Sequence, residues 1–200
     1  MGGGITARYL QPGRPSVKKV DAALLSSPML EIVGLVPGLS AEIVSCCLAR
    51  AAVALGAGAD WHWVGGPYVP VDVQQNEHTS SPVRTERMID KERAAAATQL
   101  GSPTWGWIAR SCDAAKATRV EATKITTPLL VMIARQDQIV LSHGATQLCQ
   151  RLAAGGAGCG GPAGGPVLIE GAQHETLMQR DALRGQALSR ALAVLQQPGR

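Results

Sequence analysis

Two short apolar runs in the C-terminal half of the 200-residue chain, each followed at once by polar residues, limit what it can fold into. The first run, residues 128–134, leads to Asp137, and the second, residues 166–170, leads to His174. Continuous apolar runs of this length are typical of strands that are buried on both faces of a parallel sheet. Because the carboxyl ends of parallel strands lie at one edge of the sheet, we expect Asp137 and His174 to meet there.

The flanking segments alternate as an α/β fold requires. A glycine-rich start at residues 2–11 predicts a helix that lies close to a sheet, and residues 20–25 predict a short buried strand. Ser142 is expected to cap the helix after the first apolar run, and residues 178–197 predict a final helix. A helix followed by a strand is half of a βαβ unit, so we expect the preceding strand upstream of Met1.

The stretch between these two parts is too long for one crossover helix. Ser40 is expected to cap a first helix, and residues 84–100 predict a second, polar helix. Ser102, with Pro103 after it, predicts the start of a third. We interpret the whole stretch, about residues 31–123, as a mostly helical insertion that forms a cap over the edge of the sheet.

The composition fits a globular protein that does not bind nucleic acid. Hydrophobic residues make up 46% and charged residues 17% of the chain, and the formal net charge of +4 is spread without a basic cluster. No apolar run approaches the roughly 18 residues of a membrane span, and we expect no signal peptide. The five cysteines include the adjacent pair Cys46 and Cys47 but no Cys-x-x-Cys spacing, which predicts reduced thiols and a cytoplasmic location.

Asp137 and His174 are two members of a nucleophile–histidine–acid triad. A histidine can take a proton from a nucleophile and pass it to a leaving group, and a buried carboxylate beside it fixes its tautomer and stabilises the imidazolium. The nucleophile is expected as Gly-x-Ser-x-Gly on a sharp strand-to-helix turn. No such pentapeptide occurs in the 200 residues, since the sequences around Ser40 and Ser102 both break the pattern.

Four further side chains could reach a site but have simpler explanations. His143 would lie in the first turn of its helix, exposed to solvent. His62 stands between two tryptophans and could touch a substrate, although packing or exposure explains it as well. Trp105 and Trp107 are expected to pack the insertion, and a role in lining an acyl pocket stays open.

Four segments resemble the lysophospholipase and monoacylglycerol-lipase branch of the α/β hydrolases, which is also described as serine-aminopeptidase-like. The resemblance implies that Asp137 is the triad acid and His174 the base. The most specific match is the histidine loop. The segments are, in chain order, the strand and turn Leu25–Leu30, the insertion segment Gly101–Trp107, the acid loop Arg135–Val140 and the histidine loop Gly171–Glu175.

The resemblance also suggests an interpretation of the first residues of the chain. In this family the nucleophile sequence commonly reads Gly-His-Ser-Met-Gly-Gly and runs straight into a helix, whereas this chain begins Met1-Gly2-Gly3. We therefore expect the nucleophilic serine immediately before Met1, with the chain truncated just after it. When that serine is present, the backbone N–H of Met1 is expected to be one donor of the oxyanion hole.

The implied fold class is α/β, the C-terminal part of an α/β-hydrolase fold: a parallel sheet flanked by helices from core segments 1–30 and 124–200, with the cap insertion between them. The implied activity is hydrolysis of a lipid-like carboxylic ester, with no metal or organic cofactor and no nucleic-acid partner. We expect the chain alone to be inactive, to self-associate through an exposed sheet edge and to contact membranes peripherally. The alternatives are a sister hydrolase, such as an aminopeptidase or epoxide hydrolase, and a non-catalytic remnant or binding module.

Overall fold

The computed structural model describes residues 1–11, 20–33 and 41–196. The predicted helix cap Ser40 and the end of the predicted final helix, residue 197, lie outside these ranges. Short 3-10 turns precede β2 and follow β3. The helices and strands are α1 (Gly2–Tyr9), β1 (Ala23–Ser26), α2 (Ala41–Ala54), α3 (Pro82–Ala94), α4 (Trp105–Val120), β2 (Leu129–Ala134), α5 (Ser142–Ala154), β3 (Val167–Ile169) and α6 (Asp181–Leu195).

The three strands form one parallel sheet in the order β1-β2-β3. Ala23 pairs with Leu129, and Met132 pairs with Val167. The central strand β2 is the most buried of the three, and its residues 130–132 are at most 1% exposed. The predicted α/β class is therefore confirmed, and all three predicted strands are present in the structure.

Alternate side chains of β2 enter two different hydrophobic layers, because successive residues of a strand point to opposite faces. Leu129 and Val131 pack with residues of α1 and α5 on one face. Leu130, Met132 and Ala134 pack with residues of α6 on the other. Helices thus cover both faces of the sheet, which explains why β2 is a continuous apolar run rather than an alternating one.

Helix α1 lies directly against the segment that follows β1. A Cβ atom on Gly3 would stand 2.8 Å from the Cβ of Pro28, and one on Gly4 would stand 2.5 Å from the carbonyl oxygen of Met29. No side chain fits at either position without moving the helix. This confirms the prediction that the glycine-rich start allows a close approach to the sheet.

Helix α4 connects the insertion to the sheet layers. It packs against α2 through a cluster that includes Trp105 and Ile108, and it also contacts α1 and α5. It begins at Trp105 rather than at the predicted Ser102, because the hydroxyl of Thr104 accepts a hydrogen bond from the backbone N–H of Trp107 and caps the helix. Ser142, predicted as a cap, is the first residue of α5 instead. The division into core and cap stays a prediction.

The cysteines contradict the expectation of reduced thiols. Cys46 of α2 is bonded to Cys112 of α4, and Cys149 of α5 is bonded to Cys159. Cys47 remains a free and exposed thiol. The prediction failed because the first pair lies 66 residues apart and is brought together only by helix packing, which sequence spacing does not reveal. The cytoplasmic location was expected because the thiols were expected to be reduced, so it no longer has that support.

Candidate active site

Asp137 lies in the turn that follows β2, with its side chain 4% exposed. Its Oδ1 accepts hydrogen bonds from the backbone N–H groups of Ile139 at 2.9 Å and Val140 at 3.0 Å. A short acidic side chain commonly organises a turn in this way, by accepting from the backbone two residues on. The turn therefore fixes the carboxylate and leaves Oδ2 free to point along the sheet edge.

His174 lies in the loop that follows β3 and meets this carboxylate. Gly171 begins the loop in the left-handed region, with φ at +74°, a conformation that favours glycine. The Nδ1 atom of His174 is 2.9 Å from Oδ2 of Asp137, and its side chain is 12% exposed. Among the described residues, no hydrogen bond occupies Nε2 of the ring. The predicted meeting of Asp137 and His174 is confirmed as geometry.

The hydrogen bonds around Asp137 decide its charge. Burial raises the pKa of this carboxyl, but hydrogen bonds from His174, Val140 and Ile139 outweigh burial and hold the pKa below its ordinary value. Asp137 is thus a carboxylate at neutral pH. A carboxylate beside Nδ1 favours the tautomer with its proton on Nδ1, so that Nε2 can accept a proton.

Met1 stands at the start of α1, within electrostatic range of Asp137. Burial lowers the pKa of its amino group, and the negative charges of Glu175 and Asp137 partly offset that effect. Met1 is the N-cap residue of α1, so the backbone N–H groups at this end of the helix have no partner within the helix. A helix N-terminus carries a partial positive charge that favours anions.

An apolar cavity of about 560 Å³ adjoins Met1, between α1 and α4. Trp107 lines it and is 37% exposed, whereas Trp105 is packed in the α2–α4 cluster. Trp105 is therefore packed, as expected. Trp107 lines the cavity instead, which is the alternative that the sequence left open. The surface of the cavity is mainly apolar, although polar side chains also contribute to it. Its further lining residues are Gly4, Ile5, Arg8, Tyr9, Met29, Leu30, Gly106, Arg110, Ser111, Ala114, Ala115 and Thr118.

The other two predicted candidates lie outside the Asp137–His174 pair. The ring of His62 packs edge-on against Trp105, with the ring centroids 6.2 Å apart. His143 is exposed, as expected, and its Nδ1 is 2.9 Å from Oε2 of Glu31. Neither histidine has a contact with His174 in the described part of the chain.

Sequence reasoning missed two residues that contact the histidine loop. The ring of His78 lies 6.0 Å from that of His174 at an interplanar angle of 75°. Gln179 is completely buried and bonds to backbone atoms on both sides of His174. His78 belongs to an irregular stretch far away in sequence, where no periodicity or spacing marks it. Gln179 looks like any polar residue before a helix.

Within the described ranges, no group of three or more His, Cys, Asp or Glu side chains could hold a metal ion. None of the helices there combines the length and apolar character needed to cross a bilayer.

Solved structures with the same fold are α/β hydrolases. A soluble variant of monoglyceride lipase from Saccharomyces cerevisiae matches 96% of this chain and 61% of its own, with a TM-score of 0.64 and 15% identity. Monoacylglycerol lipase from Paleococcus ferrophilus matches 96% of this chain and 63% of its own, with a TM-score of 0.64 and 18% identity. The chain therefore has the α/β-hydrolase fold.

Sequence comparison identifies the family of this chain within the α/β hydrolases. The chain belongs to the serine aminopeptidase S33 family (Hydrolase_4), which it matches over residues 1–181. Lysophospholipase L2 of Escherichia coli (strain K12) is 31% identical over 193 residues, covering 94% of this chain and 53% of the relative. Probable lysophospholipase L2 of Haemophilus influenzae is 27% identical over 169 residues, covering 84% and 50%. The chain spans about half the length of these relatives.

Proposed function

We propose that this chain carries the acid–base part of a serine-type carboxylic ester hydrolase, with His174 as the general base and Asp137 as the residue that orients it. The observation that carries the proposal is the 2.9 Å contact between Nδ1 of His174 and Oδ2 of Asp137 at the ends of two adjacent parallel strands. The family supports hydrolysis as the class of activity. No metal or organic cofactor is needed for this chemistry.

The proposed reaction has two stages. Nε2 of His174 takes the proton of a serine hydroxyl while the serine oxygen attacks the acyl carbonyl carbon. The imidazolium then gives that proton to the departing alcohol, which leaves an acyl-serine. Water, activated by the same ring, hydrolyses the acyl-serine and releases the acid. Asp137 stays ionised and stabilises the imidazolium in both stages.

The nucleophile in this proposal belongs to a segment outside the 200 residues. The sequence holds no Gly-x-Ser-x-Gly pentapeptide, and Met1 lies at the start of α1, where the residue that follows the serine is expected. In a longer chain, the amine of Met1 becomes an amide N–H at a helix N-terminus. Such a group can stabilise the oxyanion of the tetrahedral intermediate.

We propose a lipid-like substrate because the cavity beside Met1 is large and apolar. A cavity of about 560 Å³ lies in the range of small-molecule sites, and its wall of aliphatic and aromatic groups suits an acyl chain. The relatives are named lysophospholipase L2, and two neighbours in fold are monoacylglycerol lipases. The substrate class that agrees with both is a lysophospholipid or a monoacylglycerol.

The test compares residues 1–200 with a longer protein that includes the upstream in-frame segment. We expect hydrolysis of a monoacylglycerol or a lysophospholipid by the longer protein only. His174→Ala should lower its turnover by about 10³-fold or more, because triad members act as a unit. His143→Ala, an exposed histidine on α5, is the matched control and should change turnover little. Equal losses in the two variants would refute the role of His174.

Two other functions are distinguished by the same experiment. The absence of the Gly-x-Ser-x-Gly pentapeptide favours a non-catalytic remnant or binding module, and an inactive longer protein would support it. A sister hydrolase would act on peptides or epoxides instead of lipid esters. An aspartate in place of the upstream serine would indicate epoxide chemistry.

We also propose that the isolated chain self-associates through β1. Among the described strands, β1 pairs with β2 alone, and a free strand edge is a template for pairing with another chain. Light scattering across a concentration series should show a mass above that of the 20.8 kDa monomer. A monomer at every concentration would contradict this. Peripheral membrane contact stays a prediction.

A further inference from the structure

One fully buried carboxamide, that of Gln179, lies between the histidine loop and a segment of the insertion. Gln179 follows the 3-10 turn Thr176–Met178 and precedes α6. Its exposed fraction is 0%, which is rare for a glutamine unless its polar atoms are all bonded. The structure gives both ends of the carboxamide hydrogen-bond partners.

The Nε2 group of Gln179 points to the backbone on both sides of His174. It donates to the carbonyl oxygens of Gln173 at 3.2 Å and Glu175 at 3.1 Å. It also lies 3.1 Å from the carbonyl oxygen of His78. The two residues adjacent to His174 are thus held by one side chain. Without the Nε2 group of Gln179, the carbonyl oxygens of Gln173 and Glu175 would lose a buried hydrogen-bond donor.

The Oε1 atom of Gln179 binds the insertion instead. It accepts from the backbone N–H of Ser80 at 3.1 Å and from its hydroxyl at 2.8 Å. The backbone N–H of Glu175 completes the link by donating to the carbonyl of His78 at 2.8 Å. Residues 78–80 are therefore bonded to the histidine loop directly through Glu175 and indirectly through Gln179, about a hundred positions away in sequence.

We propose that Gln179 is a positioning residue: it holds His174 in the orientation that pairs its Nδ1 with Asp137 and docks residues 78–80 of the insertion on the same loop. This inference rests on the proposed function, in which that orientation matters. A general base must be held within about half an ångström of its productive place, which requires bonded neighbours rather than a free loop.

The experiment uses residues 1–200 and compares Gln179→Met with Gln11→Met. Methionine keeps the length of the side chain and removes its hydrogen bonds. Gln11 is the matched control, since it is also a buried glutamine and donates to the carbonyl of Thr118 at 2.8 Å, in another part of the fold. Both variants lose a buried carboxamide, and only one adjoins the histidine loop.

Nuclear magnetic resonance gives three readouts. In Gln179→Met, amide exchange at Ser80 and Glu175 should become about tenfold faster, as the loss of a hydrogen bond of about 1.4 kcal/mol implies. The Nδ1 proton of His174 should lose its protection and its resonance. The pKa of Asp137 should rise toward its ordinary value, because the hydrogen bond from His174 is weakened. Gln11→Met should leave all three unchanged.

The outcomes separate this inference from the proposed function. A protected Nδ1 proton and a low Asp137 pKa that persist in Gln179→Met would overturn the positioning role while the Asp137–His174 pair stands. An Asp137 pKa that does not change in His174→Ala would refute the pair itself, and the amide exchange of Ser80 would still test the docking contact. If Gln179→Met does not fold, Ser80→Ala removes one bond to Oε1, and unchanged exchange at Glu175 would then overturn the inference.

Discussion

Residues 129–195 and residues 1–33 contribute very differently to this molecule. The first region builds β2, α5, β3 and α6 in sequence, and it contains both Asp137 and His174. The second builds α1 and β1, and among the described strands β1 has a single neighbour. Ile5 of α1 is 61% exposed, whereas most apolar side chains of β2 are buried.

The difference shows which part of the proposed catalytic arrangement can form from one continuous stretch of chain. Two adjacent strand–turn units, packed on both faces, bring the carboxylate and the imidazole together with their supporting hydrogen bonds. The proposed place of the nucleophile lies at the edge where the sheet has no further neighbour in the described ranges. Stability, and with it the precision of side-chain placement, should therefore be concentrated in residues 129–195.

The largest expected effect compares the burial of one side chain in each region. Leu148→Ala, at a fully buried position of α5, should lower the free energy of unfolding by about 3 to 5 kcal/mol through lost burial and a cavity. Ile5→Ala on α1 should cost less than about 0.5 kcal/mol, because Ile5 is mostly exposed. Urea denaturation measures both. Similar losses would mean that the two regions are equally well packed.

The next effect concerns the disulfide of the first region. Cys159→Ser opens a link with a sequence separation of 10 and should lower the free energy of unfolding by about 2 to 3 kcal/mol, by the entropy of the freed chain. Cys47→Ser changes an exposed free thiol and serves as the control. If the two variants melt at the same temperature, Cys149 and Cys159 are not bonded in solution.

A smaller effect depends on pH. The pKa of Asp137 is lower in the folded than in the unfolded chain, so its contribution to stability is present above the unfolded value, about 4, and is lost as the pH falls through the folded value. Asp137→Asn should therefore flatten the acid limb of the stability curve and cost about 1.5 kcal/mol at neutral pH. Asp113→Asn, a substitution in a half-exposed ion pair on α4, is the control measured in the same way.

The smallest effect measures the contact between the two regions. His143 of α5 bonds to Glu31, which follows β1, and the His143 side chain is mostly exposed. A double-mutant cycle with His143→Ala and Glu31→Gln should give a coupling energy of about 0.5 kcal/mol. A coupling several times larger would show that the regions are joined more firmly than their packing implies.

Much of the first region could be predicted from sequence, because local patterns specify it. The apolar runs that became β2 and β3 set the sheet, and parallel strands bring Asp137 and His174 to one edge whatever the details of the helices. The glycines of α1 similarly predicted a close approach that Gly3 and Gly4 make. In each case the prediction depends on one short segment of the sequence.

The contacts that sequence could not predict are those between distant segments. The Cys46–Cys112 bond and the contacts of His78 with the histidine loop depend on how the insertion packs, and neither shows a periodicity. Thr104 was overlooked as a cap because Ser102-Pro103 gives a stronger local signal two residues earlier. Tertiary geometry decided the first two cases, whereas the Thr104 cap is a local contact that competes with a second local signal.

Because alternate side chains of β2 enter two different hydrophobic layers, the strand is sensitive to any shift in its register. Deleting one residue ahead of Leu129 would invert the strand, so that side chains shaped for the α5 side would face α6 and the reverse. A substitution in β2 changes the packing at one position, whereas the gain or loss of a single residue would change the packing on both faces of the sheet.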